Sequence, residues 1–568
     1  MESTGWRGSG AAPRVSEPLV STPLPRDYVI SGAIHTMDEA NPRAQALAVS
    51  AGKIVAVGTL AEARAALPSG APVVEHDGGA VLPTLVDAHN HHAEAGKEDL
   101  FQLSFPATAG VEEILDAIAE YAATLEPGAW LVGGLWGSNL VAELSTTEAL
   151  ARLDAVSGDR PVLLTDDSHH NKWANTAAMR AAGILDLDED PHGGHIIRDS
   201  NGNPTGLLFE AAGALVEKHR LSTVELDDEF YARCSERGIE MLAQYGIVAF
   251  QDAAASINTL RGFARLEEQG RLKAWAVSSM LINDNIFGNE LVGEELMALG
   301  AGFATEHHRP TWTKIFLDGV PPTRNAAFLE PYLPDAEHGH EHFGTTLIPQ
   351  SELEEWLRRA SALDLGVKIH CTGDASVRSV LDAVEQLRSE GSEVPVHIAH
   401  GQFVSEADRP RFARLGVIAE ISPFIWFPGV IPSAIGEVLP AEVVAGLQPN
   451  RSLLDAGAHV AVGSDWPVSE SPNPWHAVYG LVTRQDPTGA FPGTLNADQA
   501  ITREEAIAAV TSRGADAVGL GDVTGRLRVG NSADFVLLDR DPFEVPVQEL
   551  AGTRVLATVF AGERVYEA

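Results

Sequence analysis

Apolar and polar positions divide the chain into three textures. From residue 28 onward, YVISGAIHTMD, ALAVSAGKIVAVG and APVVEHDGGAVLP are short Val/Ile-rich runs broken by Gly-containing turns, which reads as strands. GRLRVGNSADFVLLDRD and RVLATVFAGERVYEA repeat that texture at the other end, and the alternation in ATVFAGERVYE predicts strands with one buried face. Two β-rich ends around a different middle predict one small β-sandwich, built from 26–82 and 521–568. Residues 1–25, rich in Gly, Ser and Pro, read as a flexible arm.

The middle alternates apolar runs with helical stretches, the pattern of a parallel sheet covered by helices. Eight runs stand out: AVLPTLVDAHNHH (80–92), GIVAFQDA (246–253), AWAVSSMLI (274–282), TWTKIFLDG (311–319), LGVKIHCTGD (365–374), VPVHIAHGQ (394–402), GVIAEISP (416–423) and AHVAVGSDWP (458–467). Stretches such as SELEEWLRRASAL (351–363) separate most of them. The fold class expected is α/β, a (β/α)8 TIM-like barrel over 83–520. Between the first and second runs, about 93–245, the gap is too long for an ordinary βα connection and predicts an inserted subdomain.

Composition narrows the class without naming it. Apolar residues at 45% and charged residues at 21% are ordinary for a globular protein. Lys+Arg total 40 against 79 Asp+Glu, a net charge of −39, which disfavours nucleic acid and anionic membranes as partners. Cys234 and Cys371 form no CxxC, and no segment approaches the ~18 consecutive apolar residues of a membrane span. A reducing cytoplasm is the expected location. A homodimer is compatible with these features and is not decided by them. Only seven lysines occur, so Lys314 inside the apolar WTKIF needs a reason.

Polar residues gather at the C-terminal ends of the runs, the face that carries chemistry in parallel barrels. His89 and His91 stand two apart and project from one strand face. His370 ends VKIH, His400 ends VPVHIAH, and Asp465 ends VAVGSD. If the runs form one barrel, these five and Lys314 converge at one mouth. Imidazoles and a carboxylate in a dry site suit Zn²⁺ or a similar divalent cation. The bland readings are core histidines with satisfied hydrogen bonds, a helix cap for Asp465 and a buried ion pair of Lys314 with Asp318. Lys368 shares the strand parity of His370 and is the rival lysine.

The stretches LPTLVDAHNHH, LDAVSGDRPVLLTDDSHHNKWANTAAM, GGHIIRDSNGNPTGLLFEAA, TKIFLDGVPPTRNAAFLEPY, IHCTGDASVRSVLDAVE, VHIAHGQF, VGSDWPV and GRLRVGNSADFVLLDRDPF resemble the metal-dependent amidohydrolase superfamily. The branch they resemble includes N-substituted formamide deformylases. The resemblance runs from about residue 27 to the end. It implies His89, His91 and Asp465 on a buried metal, and His370 and His400 on a second. It also implies an N6-carboxylated Lys314 bridging them; one ion or two is open. Ala399, Ser422 and His92 depart from the pattern common in relatives.

The implied reaction is hydrolysis of a non-peptide C–N bond, in an amide or formamide-like small molecule, by a metal-bound hydroxide with Asp465 as acid and base. A deaminase or an ester or urea hydrolase on the same scaffold is the alternative, and a non-catalytic binding or regulatory protein a more distant one. Asp318 and Arg324, just beyond Lys314, are expected to orient substrate. Trp426 in SPFIWFPG, Trp466, Phe424, Phe427 and, from the insertion, Trp136 and Trp173 suggest a pocket for an apolar or aromatic amide. Asp167 and His169 in DDSHHNKW either touch substrate or organise a loop.

Overall fold

The computed structural model describes residues 24–223, 226–284, 286–289, 291–425 and 427–568. Trp426 and most of the N-terminal arm therefore lie outside the described residues.

All eight apolar runs are strands of one sheet: β1 (Leu85–Asn90), β2 (Ile247–Ala255), β3 (Trp275–Leu281), β4 (His308–Phe316), β5 (Gly366–Cys371), β6 (Val396–His400), β7 (Val417–Ile421) and β8 (His459–Val462). They pair in chain order, every neighbour parallel, from β1 to β8. Near-continuous apolar strands are what a sheet buried on both faces requires. The helix Asp374–Ser389 buries Val377, Val380, Leu381, Val384 and Leu387, one face at helical spacing.

The ring closes between β8 and β1 without a regular ladder. Asp465 N donates to His89 O at 2.7 Å, and His91 N donates to Trp466 O at 2.8 Å. Below them, Ser464 N and Oγ donate to the two carboxylate oxygens of Asp87 at 2.8 and 2.6 Å. Burial pushes the Asp87 carboxyl up to about 6 against those bonds. The seam thus ties two of the expected metal ligands, His89 and Asp465, through one backbone bond.

Strands from both chain ends share a second sheet, in the order Glu563–Glu567, Val555–Phe560, Phe535–Leu538, Val73–Pro83, Asp27–His35, Arg43–Ser50 and Lys53–Gly58. The pairing is one continuous seven-stranded ladder, bulged between Ser31 and Ile34. Alternate residues, among them Tyr28, Ile30, Leu47, Val49, Phe535 and Val559, feed one apolar cluster. Trp275 Nε1 donating to Asp534 at 2.8 Å and Thr558 Oγ1 to Ala243 O at 2.7 Å fix this sheet to the barrel.

The insertion is a separate compact unit, from Lys97 to Thr223 among the described residues, with 286–288. Its six-stranded sheet runs Gly194–Arg198, Pro204–Glu210, Asn171–Ala174, Val162–Asp166, Leu131–Trp136 and Leu103–Ser104. It is shorter than the expected 93–245 because the helix Asp228–Gln244 belongs to the other unit. That helix buries Ile239, Leu242 and Ala243, and packs on β2 and on the helix Ile257–Glu268 as a barrel crossover helix. Among the described residues no helix is long and apolar enough to cross a membrane.

Candidate metal centre

Strand ends deliver the expected residues to one place. Asp465 Oδ1 lies 3.3 Å from His89 Nε2 and 3.4 Å from His91 Nε2, while its Oδ2 lies 3.7 Å from His400 Nδ1. The ring of His400 is 4.8 Å from that of His89 and 4.8 Å from that of His370. One ligand atom each from His89, His400 and Asp465 lies within 4.8 Å of the others. All five side chains are buried or nearly so. His400 (φ 68°) and Asp465 (φ 56°) hold left-handed backbone that such residues rarely adopt. Gln448 Nε2, donating to His400 O at 3.0 Å, helps hold the first, and the seam bond from Asp465 N holds the second. Strain kept at two residues of one cluster is the kind a functional site retains.

His89 shows the clearest fit to a cation. Its Nδ1 is hydrogen-bonded to the Glu420 carboxylate, and its fully buried Nε2 has no hydrogen-bond partner among the described residues. A neutral imidazole so held offers a lone pair toward Asp465. Burial first, then the positive charges of Lys314 and Lys368, hold His89 well below the ordinary histidine range. Burial, His370 and His89 do the same for His400. Both are therefore neutral near pH 7, the state that binds metal.

The two buried lysines have different surroundings. Lys368 Nζ donates to Ala88 O at 2.8 Å and to Glu420 Oε2 at 3.3 Å. Lys314 Nζ has no hydrogen-bond or ion-pair partner among the described residues and lies 4.7 Å from the Phe316 ring centre. Its pairing with Asp318 does not occur. Burial, with Lys368 adding repulsion, brings its amine down to about 8.

The residues expected to orient substrate are placed otherwise. Asp318 is fully buried and accepts from Ala327 N (3.1 Å), Thr372 N (3.0 Å), Gly373 N (3.0 Å) and Ser376 Oγ (2.7 Å). With its Oδ1 also 3.2 Å from His370 Nδ1, it stands behind an imidazole and has no free lone-pair direction for substrate. Arg324 spends its guanidinium on Asp335 at 3.0 Å and on Leu333 O at 2.5 Å. Trp466 is buried beside Asp465. Trp136 and Trp173 are fully buried in the core of the insertion, so they do not supply an aromatic lining. Phe427 packs against Gly480, and Phe424 is half-buried 5.7 Å from it. Asp167 and His169 belong to the inserted unit, where Asp167 accepts from Ser138 N at 3.0 Å.

Glu420 was not singled out from sequence. It is the one acidic residue of GVIAEISP, on a strand buried at nearly every position. A carboxylate inside such a run was the available signal. His92, one past His91, is no part of the cluster: it lies 3.4 Å from Asp252 and stacks on Phe263.

The amidohydrolase family profile matches residues 73–566. An N-substituted formamide deformylase of Arthrobacter pascens is 30% identical over 95% of this chain and 98% of its own length. A putative amidohydrolase of Bacillus subtilis, YtcJ, is 28% identical over 94% of this chain and 98% of its own. A structure described as an uncharacterized metal-dependent hydrolase from Pyrococcus horikoshii superposes with a TM-score of 0.71 at 23% identity, covering 92% of this chain and 99% of that one, a likeness of fold.

Proposed function

The chain belongs to the amidohydrolase family, and from that membership and the cluster at the barrel mouth we propose a metal-dependent hydrolase of a non-peptide C–N bond, in an amide or formamide-like small molecule. The observation that carries this reading is the Asp465 carboxylate set among His89, His91 and His400 at 3.3, 3.4 and 3.7 Å. The similarity to a formamide deformylase along nearly the whole of both chains supports the bond type.

Nitrogen and oxygen donors in a buried site suit Zn²⁺. His89, His91 and Asp465 would hold one ion, and His370, His400 and Lys314 a second. A divalent cation here would polarise the substrate C=O and lower the pKa of water toward neutrality. With an amine pKa of about 8, roughly a tenth of Lys314 is neutral at pH 7, enough to add to CO₂ and release one proton as the carbamate forms. A carbamate turns a repelling ammonium into an anionic ligand.

Asp465 faces the imidazoles with both oxygens, so it can take the proton of an attacking water and pass it to the leaving nitrogen. The products are a carboxylic acid and an amine. Neutral His89 and His400 keep their lone pairs for the cation while this proton moves.

The test is metal analysis of the purified protein beside a panel of alkyl and aryl amides, formamides, ureas, esters and aminopurines. One or two equivalents of Zn²⁺ and turnover of the amides or formamides is the expected outcome. Metal-free protein that does not gain turnover on adding Zn²⁺, or turnover of aminopurines alone, overturns the proposal.

A further inference from the structure

Beneath the cluster lies a hydrogen-bond network in which every proton has a direction. Glu420 Oε2 accepts from His89 Nδ1 and, at 3.3 Å, from Lys368 Nζ. Glu420 Oε1 accepts from Ser422 Oγ at 3.2 Å. Ser422 Oγ lies 3.1 Å from His400 Nδ1. A serine hydroxyl has one hydrogen. Spent on Glu420, it leaves the oxygen as an acceptor, so the hydrogen between Ser422 and His400 belongs to the imidazole. Both rings then carry their proton on Nδ1 and keep Nε2 as the lone pair; His89 turns that Nε2 toward Asp465 Oδ1 at 3.3 Å, while His400 lies nearest Asp465 Oδ2 through Nδ1 at 3.7 Å. The unpartnered, buried Nε2 of His89 is the result at one end. Lys368, Glu420 and Ser422 are fully buried, and the Lys368 ammonium balances the carboxylate it touches.

We propose that Glu420 is a positioning residue that sets the tautomer of two imidazoles of the cluster at once, His89 directly and His400 through Ser422, with Lys368 as its fixed counter-charge. The inference rests on the metal-centre reading above and adds what makes the centre competent before any ion arrives. It also divides the two buried lysines: Lys368 is committed to Glu420 and Ala88 O, which leaves Lys314 as the lysine open to modification.

The test is Zn²⁺ affinity of the metal-stripped protein, by competition with a chromogenic chelator, together with the visible spectrum of the Co²⁺ form. In Glu420→Gln the amide places a donor against one of the donors Glu420 now receives. Affinity is expected to fall about 10- to 100-fold, the range seen when such outer carboxylates are removed. The Co²⁺ absorption should shift with it. Ser422→Ala should weaken binding by a smaller factor, through His400 alone. Glu420→Gln also strands the Lys368 charge and can destabilise the fold, so the double variant Glu420→Gln/Lys368→Met separates the two effects. It should recover the thermal midpoint of the metal-free protein without recovering the affinity. Wild-type affinity and spectrum in Glu420→Gln, or affinity restored in the double variant along with stability, overturns the inference while the metal centre stands. A wild type that takes up no Zn²⁺ at all overturns the centre and the inference together. None of these readouts depends on knowing the substrate.

Discussion

Two buried clusters in this chain use the same residue types and differ in whether their ligand atoms converge. At the barrel mouth, carboxylates stand behind imidazoles: Glu420 at His89 Nδ1, and Asp318 3.2 Å from His370 Nδ1. Nε2 of His89 and Nε2 of His91 face Asp465 Oδ1 at 3.3 and 3.4 Å. In the insertion, the acids of TDDSHHNK are met by donors of that segment and of its neighbours. Asp166 accepts from Ser168 Oγ at 2.7 Å and from Asn171 N and Nδ2 at 3.0 and 2.7 Å. Asp167 accepts from Ser138 N and Oγ, and His170 Nδ1 meets Glu210 at 2.9 Å. Among the described residues only the mouth brings three ligand atoms within 4.8 Å. What separates the candidate metal centre from the polar core is convergence: carboxylates stand behind imidazoles in both, and only the mouth brings its ligand atoms together.

The sharpest way to break this contrast is Asp465→Asn. An amide keeps the shape and loses the ability to take up a proton at pH 7. Hydrolysis should fall by about 10²- to 10⁴-fold, the usual worth of a general acid–base group. Steady-state turnover on the best amide of the panel checks it, and a change under threefold would place the proton transfer elsewhere.

Next in size is Lys314→Met in metal-free, CO₂-free buffer. A lysine with a folded pKa of about 8 against 10.5 unfolded binds its proton more weakly when folded. Below pH 8 both states are protonated and the wild type bears the full penalty of the buried charge, about 3 kcal/mol. The variant should therefore be the more stable at pH 7. The gap should close as pH rises from about 8 to 10.5, where the unfolded chain also loses its proton. Denaturant midpoints across that range measure it. A gap independent of pH would mean that Lys314 is not a buried charge in the metal-free fold.

Asp167→Ala probes the other side of the comparison. Removing the acceptor of Ser138 N and Oγ should cost about 1–3 kcal/mol of stability, the range for an orphaned buried donor. Zn²⁺ per chain should stay at the wild-type value. Lost metal with intact stability would move the insertion's cluster into the metal centre.

Much of this was legible in the sequence, for physical reasons that also mark its limits. Barrel strands buried on both faces write themselves as unbroken apolar runs, and all eight were read at the right places. The polar residues that end those runs, His89, His91, His370, His400 and Asp465, could be aligned by strand parity alone. Parity says which face a residue takes and nothing about what waits there. Asp318 has the parity for the mouth, yet four donors near the start of the helix Asp374–Ser389 occupy it. Trp136 and Trp173 look the same in sequence whether they line a pocket or fill a core; here they fill one. The helix Asp228–Gln244 has the same amphipathic pattern whichever unit it covers, so the sequence does not mark where the insertion ends. Glu420 went unnoticed because a single acid in a strand declares itself only when its partner, His89, is placed beside it from 331 residues away.

The most direct test of the central claim is anomalous diffraction at the zinc edge from crystals of protein purified without chelator. A peak among His89, His91, His400 and Asp465, with none at Asp166, Asp167, His170 and Glu210, is the predicted result. No peak at the barrel mouth from protein that assays show to be active, or a peak in the insertion instead, would contradict it.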